Sequence, residues 1–286
     1  MPWRSSTIFL ILFFLTATIY ASDDAKEKPK YGWTNKFISS LNLTQASIDN
    51  WSKGGDNAWS WQLNLDGRFV NSQEDYQWTN AGKLVFGETR VGSSSPKKTA
   101  DEIYFETVYT YKAGETFRPY ISGTLLSQLV EGYDYGKTPK LKISDFMDPG
   151  YLQESIGFDY QSNDTFRSRM GFAVKQTIAK LFADRYSDNP LTKNHTEKFK
   201  NEVGAESVTD FKQNLNSLIV FVTKLELFST LKRFDEVDVR WDNLFSAKVA
   251  DYLSVNLNFK LYYDKDASIK RQIKQTLAVG ISYNFL

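Results

Sequence analysis

The sequence predicts an all-β fold, an antiparallel transmembrane β-barrel of about 12 strands with short periplasmic turns and longer outer loops. Three observations carry that expectation. Apolar and polar residues alternate over unusually long stretches, the connections between those stretches run short and long in turn, and an export signal precedes them. The composition fits. The chain has 286 residues and is 41% apolar and 15% aromatic, yet it is 24% charged with a net charge of +1. A chain that is dense in rings and hydrophilic on average needs a fold that displays both kinds of surface.

The first element is the export signal. Met1 to Ala21 carries one basic residue, Arg4, then the apolar run Thr7 to Leu15, then small residues closing on Ala21. That is the order of a secretory signal peptide, with cleavage after Ala21. Its apolar core is too short to cross a bilayer, which takes about 20 residues. The longest later apolar run is Leu218 to Val222, so no helical span is expected elsewhere. Residues 22–36 are charged and include Pro29, and they read as a flexible lead-in to a barrel domain over 37–286.

The strands follow from period-two patterning. Trp59, Trp61, Leu63, Leu65 and Phe69 alternate with Ser60, Gln62, Asn64, Asp66 and Arg68. Such alternation marks a strand with one apolar and one polar face. It recurs in Phe166 to Lys175, in Leu253 to Tyr263 and in Ile273 to Phe285. Twelve segments emerge, at 37–45, 58–71, 75–88, 101–112, 116–128, 150–161, 165–178, 200–212, 216–231, 236–247, 251–263 and 270–286. Soluble strands centre on about five or six residues, whereas a tilted membrane-crossing strand needs about 9–11. Trp and Tyr also favour membrane interfaces.

The connections supply an independent test. Short polar turns join alternate pairs, as in Asn71 to Glu74, Lys112 to Glu115 and Gln161 to Asp164. The intervening connections are mostly longer, at 46–57, 89–100, 129–149 and 179–199, although 232–235 and 264–269 are short. An even strand number puts both ends on the periplasmic side. The rival fold, a secreted β-sandwich, would bury its apolar faces between two sheets.

Several function classes are excluded. With no cysteine there is no disulfide, thiolate metal site or cysteine nucleophile. Near-neutral charge gives no nucleic-acid footprint. No cofactor or metal is expected, because the chain has one histidine and no EF-hand spacing. That histidine, His195, lies in a polar outer loop; a hydrolase would need it held against a hydroxyl and an acid, so no catalytic residue is assigned.

The inward parity carries charge. Its cations are Arg68, Lys83, Arg118, Arg167, Arg169, Lys175, Lys224, Arg240, Lys260 and Lys274; its anions are Asp66, Glu106, Asp159, Glu206, Glu226, Asp238 and Asp242. These are the candidate lumen-lining residues. A mixed set reads either as an interlocked structural network or as a charged pore lining. Twelve strands fall between barrels filled by side chains and barrels that leave a channel, so a narrow or loop-plugged lumen is expected. Asn50, Trp51, Gly54 and Gly55 form an outer-loop motif whose glycines permit a tight reversal. Asp148-Pro149-Gly150 is a turn signal, and the stretch before it is placed to fold inward as a small plug. Asn42, Asn163 and Asn194 open Asn-x-Thr triplets, which matter only in a eukaryotic secretory host.

The stretch Leu43-Thr44-Gln45-Ala46-Ser47-Ile48-Asp49-Asn50-Trp51-Ser52-Lys53-Gly54-Gly55-Asp56-Asn57 resembles the opening of an uncharacterised outer-membrane barrel family, domain of unknown function 3078, typical of Bacteroidota. Ser144 to Leu152, Val237 to Leu244 and Leu261 to Asp264 are similar to its other recurring stretches. The resemblance implies a barrel in the outer membrane and no activity. The last strand, with Gly280, Tyr283 and Phe285, is similar to the signal by which such proteins engage the barrel-assembly machinery, although Leu286 follows the usual terminal aromatic. The expected partners are therefore outer-membrane lipids, the assembly machinery and a small solute. The leading functional reading is a non-enzymatic barrel that passes or binds small solutes. A lipid hydrolase and a purely structural or interaction barrel are the alternatives.

Overall fold

The computed structural model describes residues 31–49, 53, 55–114, 116–161, 165–186 and 196–286. The expected signal peptide and most of the lead-in lie outside them. The first five strands are β1 (Gly32–Ala46), β2 (Ala58–Ser72), β3 (Tyr76–Val91), β4 (Lys97–Tyr111) and β5 (Phe117–Ser127). A small hairpin, β6 (Gly132–Asp134) and β7 (Leu141–Ser144), interrupts the series. It resumes with β8 (Gly150–Gln161), β9 (Phe166–Ile178), β10 (Phe199–Asn214) and β11 (Ile219–Thr230), and ends with β12 (Val237–Lys248), β13 (Leu253–Tyr263) and β14 (Gln272–Asn284). Leaving out the β6–β7 hairpin, twelve strands pair antiparallel with their chain neighbours, and β14 closes on β1 through pairs such as Ser40↔Ser282. Closure leaves no unpaired sheet edge, the liability of open sheets.

One rim of the barrel carries the short turns and the two ends of β1 and β14; the other carries the longer connections. We call these the turn end and the loop end. The alternation explains the sidedness of each wall. On β9, Met170 and Phe172 are 64% and 68% exposed, while their neighbour Arg169 is 3% exposed. On β14, Leu277 is 72% exposed. The barrel is thus apolar outside and charged within, the arrangement of a wall that faces lipid.

Outward aromatics of the turn end pack side by side around the rim. Trp33 meets Trp78 at 6.1 Å, Tyr76 stacks on Tyr109 at 5.2 Å, Phe117 meets Tyr160 at 5.6 Å, and Phe221 stacks on Phe245 at 4.4 Å. Tyr283 and Phe285 continue this girdle, with Phe285 also 5.6 Å from Phe37. Amphipathic rings at one level are the expected interface anchor.

The structure adjusts four sequence expectations. β1 begins at Gly32, inside the expected lead-in, because Trp33 and Asn35 already follow the outward parity and Trp33 packs on Trp78. β3 and β4 extend past their expected ends, so their connection shrinks to 92–96, turned by Gly92 at φ +59°. The 129–149 connection contains the β6–β7 hairpin and rests on the rim beside β4, where Asp101 accepts from the Leu129 and Val130 amides. It is not the plug. Ala179, Ala183 and Tyr186, after β9, instead pack with Tyr151 and Ala267 at the loop end.

Candidate functional site: the barrel lumen

Register decides which side chains share the lumen. Asp66 is paired with Lys83 across β2 and β3, Arg118 with Asp159 across β5 and β8, and Glu226 with Arg240 across β11 and β12. Partners in register point to the same side of a sheet, so these charges face inward together.

Many of them bond across the lumen. Glu106 on β4 binds Arg169 on β9 and, at 2.9 Å, Lys224 on β11. Tyr104 donates to Glu226 at 3.0 Å and accepts from Lys224 at 2.7 Å. Glu102, one step along the same face, binds Lys83 at 3.3 Å, Arg240 at 3.4 Å and Lys260 at 2.6 Å, and accepts from the Tyr262 hydroxyl. Asp242 lies 3.3 Å from Lys260 and 3.8 Å from Arg240. Opposite charges in this low-dielectric space are held by mutual neutralisation. Glu102 and Glu106 tie β4 to walls several strands away.

Beneath that network the sector formed by β4, β5, β8, β9 and β10 is shut. Asp159 is fully buried between Arg118 and Arg167, each at 2.5 Å. Tyr120 donates to Glu206 at 2.8 Å, and Ser155 and Gln153 donate to the same carboxylate at 2.5 Å each. A close approach makes room for this. Gly157 and Gly171 are paired in register, and a Cβ on Gly171 would lie 2.7 Å from the Tyr120 hydroxyl oxygen.

The opposite sector differs in kind. The inward residues of β14, β1 and β2 are mainly Ser, Thr, Asn, Gln and Ala, and they border a cavity of about 240 Å³ lined by Asn42, Thr44, Ser60, Gln62, Lys274 and Thr276. Lys274 reaches over the lumen to the Thr99 carbonyl at 2.7 Å. Asp66 and Arg68, well inside β2, are exposed even though they point into the barrel.

At the loop end, Lys175 binds Asp238 at 2.5 Å and Asp264 at 2.9 Å, and Lys200 binds Asp266 at 2.6 Å. Buried Asp148 accepts from the Lys180 and Leu181 amides at 2.8 and 2.7 Å, which fastens the connection after β9 to the one before β8. In the exposed hairpin, the Lys142 ammonium donates to the Asp145 and Glu131 carboxylates, which holds it above its usual range. The same contacts lower both carboxyls.

All seventeen expected lumen charges lie on inward-facing strand positions. Most stand within the ion network; Asp66 and Arg68 make no ion pair within 4.0 Å among the described residues, and Lys274 makes only its carbonyl contact. Sequence reasoning overlooked Glu102, although it shares the parity of Glu106 four residues on. Tyr104, Tyr120 and Tyr262 are not among the expected lumen residues either, because the sequence reading gives tyrosine only an interface role. Of the outer-loop motif, Asn50, Trp51 and Gly54 lie outside the described residues; Gly55 adopts φ +130° with Ile48 against it. His195, Asn163 and Asn194 lie outside them too. Asn42 is a lumen-wall residue, and Gly280 opposite it leaves space for its amide, since a Cβ there would sit 2.0 Å from Asn42 Oδ1.

These features define a closed β-barrel with a lipid-type exterior, an ionic lumen, and a cavity of about 240 Å³ on its β14–β1–β2 side. A family model described as Protein of unknown function (DUF3078) matches residues 43–133, the family whose opening stretch the sequence resembles. No curated protein matches the chain in sequence. Similar solved structures include the translocator domain of autotransporter NalP from Neisseria meningitidis, at 9% identity, 90% coverage of each chain and a TM-score of 0.39. The NanC porin is similar at 8% identity over 87% of this chain and 96% of that one, with a TM-score of 0.38. The Pseudomonas putida toluene transporter TodX is similar at 8% identity over 90% of this chain and 88% of that one, with a TM-score of 0.30.

Proposed function

We propose that this chain is an outer-membrane β-barrel that passes or binds small hydrophilic solutes along one side of its lumen, without catalysing a reaction. The turn end, carrying both ends of the barrel, faces the periplasm, and the loop end faces outward. The observations that carry the reading are the exposure of Asp66 and Arg68 inside the wall of β2 and, towards the loop end of the same wall, a cavity of about 240 Å³ lined by Ser60 and Gln62. A lumen filled by side chains would leave no such surface. The amide and hydroxyl lining suits hydrated solutes rather than hydrocarbons.

Conductance in planar bilayers tests this reading. Reconstituted barrel with intact β spectra is expected to give small, discrete conductance steps. The absence of steps, together with no binding of small sugars or carboxylates by calorimetry, would remove it. The final strand, with Gly280, Tyr283 and Phe285, serves in this reading as the contact for the assembly machinery.

A further inference from the structure

We propose that the passage selects small anions, and that Lys36, Arg68 and Lys212 at its turn-end mouth set that preference. The inference rests on the solute-passing reading above and names the class of solute.

Lys36 and Arg68 are register partners on β1 and β2, and both project inward near the turn end. Lys212 comes two residues before the end of β10, on the inward parity of Glu206 and Asp210. All three are exposed, and none has a carboxylate within 4.0 Å among the described residues. The same level holds Arg118 and Arg167, which share the single carboxylate of Asp159. Asp210 is the other inward anion there, in register with Arg167. Five cations thus face two anions at this mouth.

The surplus is local. At mid-height, Glu102, Glu106, Glu226 and Asp242 balance Lys83, Lys224, Arg240 and Lys260 through direct contacts. Asp66, on the open wall, is the one anion there that stands against the preference. At the loop end the sign reverses on the closed side, where Lys175 and Lys200 meet Glu202, Asp238, Asp264 and Asp266. On the open side, Lys274 stands over the cavity instead. A solute using the open side therefore passes Lys274 and then Arg68 and Lys36. Low-dielectric walls focus such unpaired charge onto the passage and raise the local concentration of counter-ions.

The test is the reversal potential of the native barrel in planar bilayers under a potassium chloride gradient, repeated with potassium acetate. Permeability is expected to favour the anion several-fold near 0.1 M salt. The preference should fade near 1 M, where the screening length falls from about 10 Å to about 3 Å. The double variant Arg68→Glu and Lys212→Glu should reverse the sign of the potential, while Lys265→Glu on the outer rim should leave the sign unchanged. Steps that are cation-selective or unselective at 0.1 M would overturn the anion assignment and leave the passage reading standing. A native sign that persists in the double variant would overturn the role given to the mouth. Absence of conductance would overturn the anion assignment, and together with no calorimetric binding of small sugars or carboxylates it would overturn the solute reading as well.

Discussion

Glu106 is the position where the ionic lumen makes its largest stability prediction. Its carboxylate is 7% exposed and neutralises two cations from different walls, Arg169 on β9 and Lys224 on β11. Replacing it with glutamine keeps the shape but removes the charge and turns one of its two acceptor oxygens into an NH2 donor facing a cation. At an effective dielectric of about 20, a pair 2.9 Å apart attracts by about 6 kcal/mol. Much of that is offset by desolvation, and each cation keeps a second partner: Glu226 lies 3.2 Å from Lys224, and Glu206 lies 3.7 Å from Arg169. Removing one member of a buried pair costs about 3–5 kcal/mol, so the retained partners place Glu106→Gln near 3 kcal/mol. Urea unfolding in lipid vesicles, followed by tryptophan fluorescence, measures it. Glu236→Gln on the outer rim, where Arg233 is 57% exposed, should cost less than about 1 kcal/mol. Arg169→Met should also cost less in the Glu106→Gln background than in the native chain, because the two residues share one interaction. A loss under about 0.5 kcal/mol for Glu106→Gln would refute the claim that the network holds the walls together.

Two further predictions concern the loop end. Asp148→Ala removes the acceptor of the Lys180 and Leu181 amides; both residues are exposed, so at about 1 kcal/mol for a hydrogen bond exchanged for water exchange of these two amides should quicken about fivefold, with the strand amides unchanged. In the β6–β7 hairpin, Asp145 and Glu131 have lowered carboxyl pKa values and Lys142 a raised one. The carboxylate contribution is present above the ordinary carboxyl range and is lost as pH falls through the lowered values. The ammonium contribution is present at neutral pH and is lost only above the ordinary lysine range. Hairpin amide protection, corrected for intrinsic exchange, should therefore be flat from about pH 5 to about pH 9 and decline below about pH 4; a decline between pH 5 and 7 would contradict the assignment.

Much of the architecture was legible because a β-barrel wall writes its own pattern. Period two runs through most of the wall, and the alternation in Trp59 to Phe69 locates both the lipid face and the lumen face of β2, although β3 shifts register between Gly87 and Glu88. The connections were less legible. Nothing in the local pattern distinguishes a strand that stops at the rim from one that continues beyond it, and β3 and β4 continue. The covering segment was also misplaced. The Asp148-Pro149-Gly150 turn draws attention to 129–149, yet the apolar contacts at the loop end come from Ala179, Ala183 and Tyr186, residues unremarkable in sequence. The charges were legible as a set but not as pairs, since Glu102 meets Lys260 across 158 positions of chain. Inward tyrosines escaped because a ring with a hydroxyl suits an interface and an ionic lumen equally well.

The sequence posed the lumen charges as either a structural network or a pore lining, and the barrel divides these roles by sector. Where β4 faces β9 to β13, acids and bases meet within bonding distance and neutralise one another, leaving little free charge to attract a solute. Where β14, β1 and β2 form the wall, small neutral side chains cannot reach across, and the cavity borders them. Arg68 and Lys36 have no carboxylate within 4.0 Å among the described residues, the inward acids nearest their level being Asp66 and Asp210. In the proposed reading the network also frames the open sector, since Glu102 binds Lys83 on β3 and Lys260 on β13, the two strands that flank it. Substitutions that loosen the network should therefore alter conductance without touching any residue on the open wall.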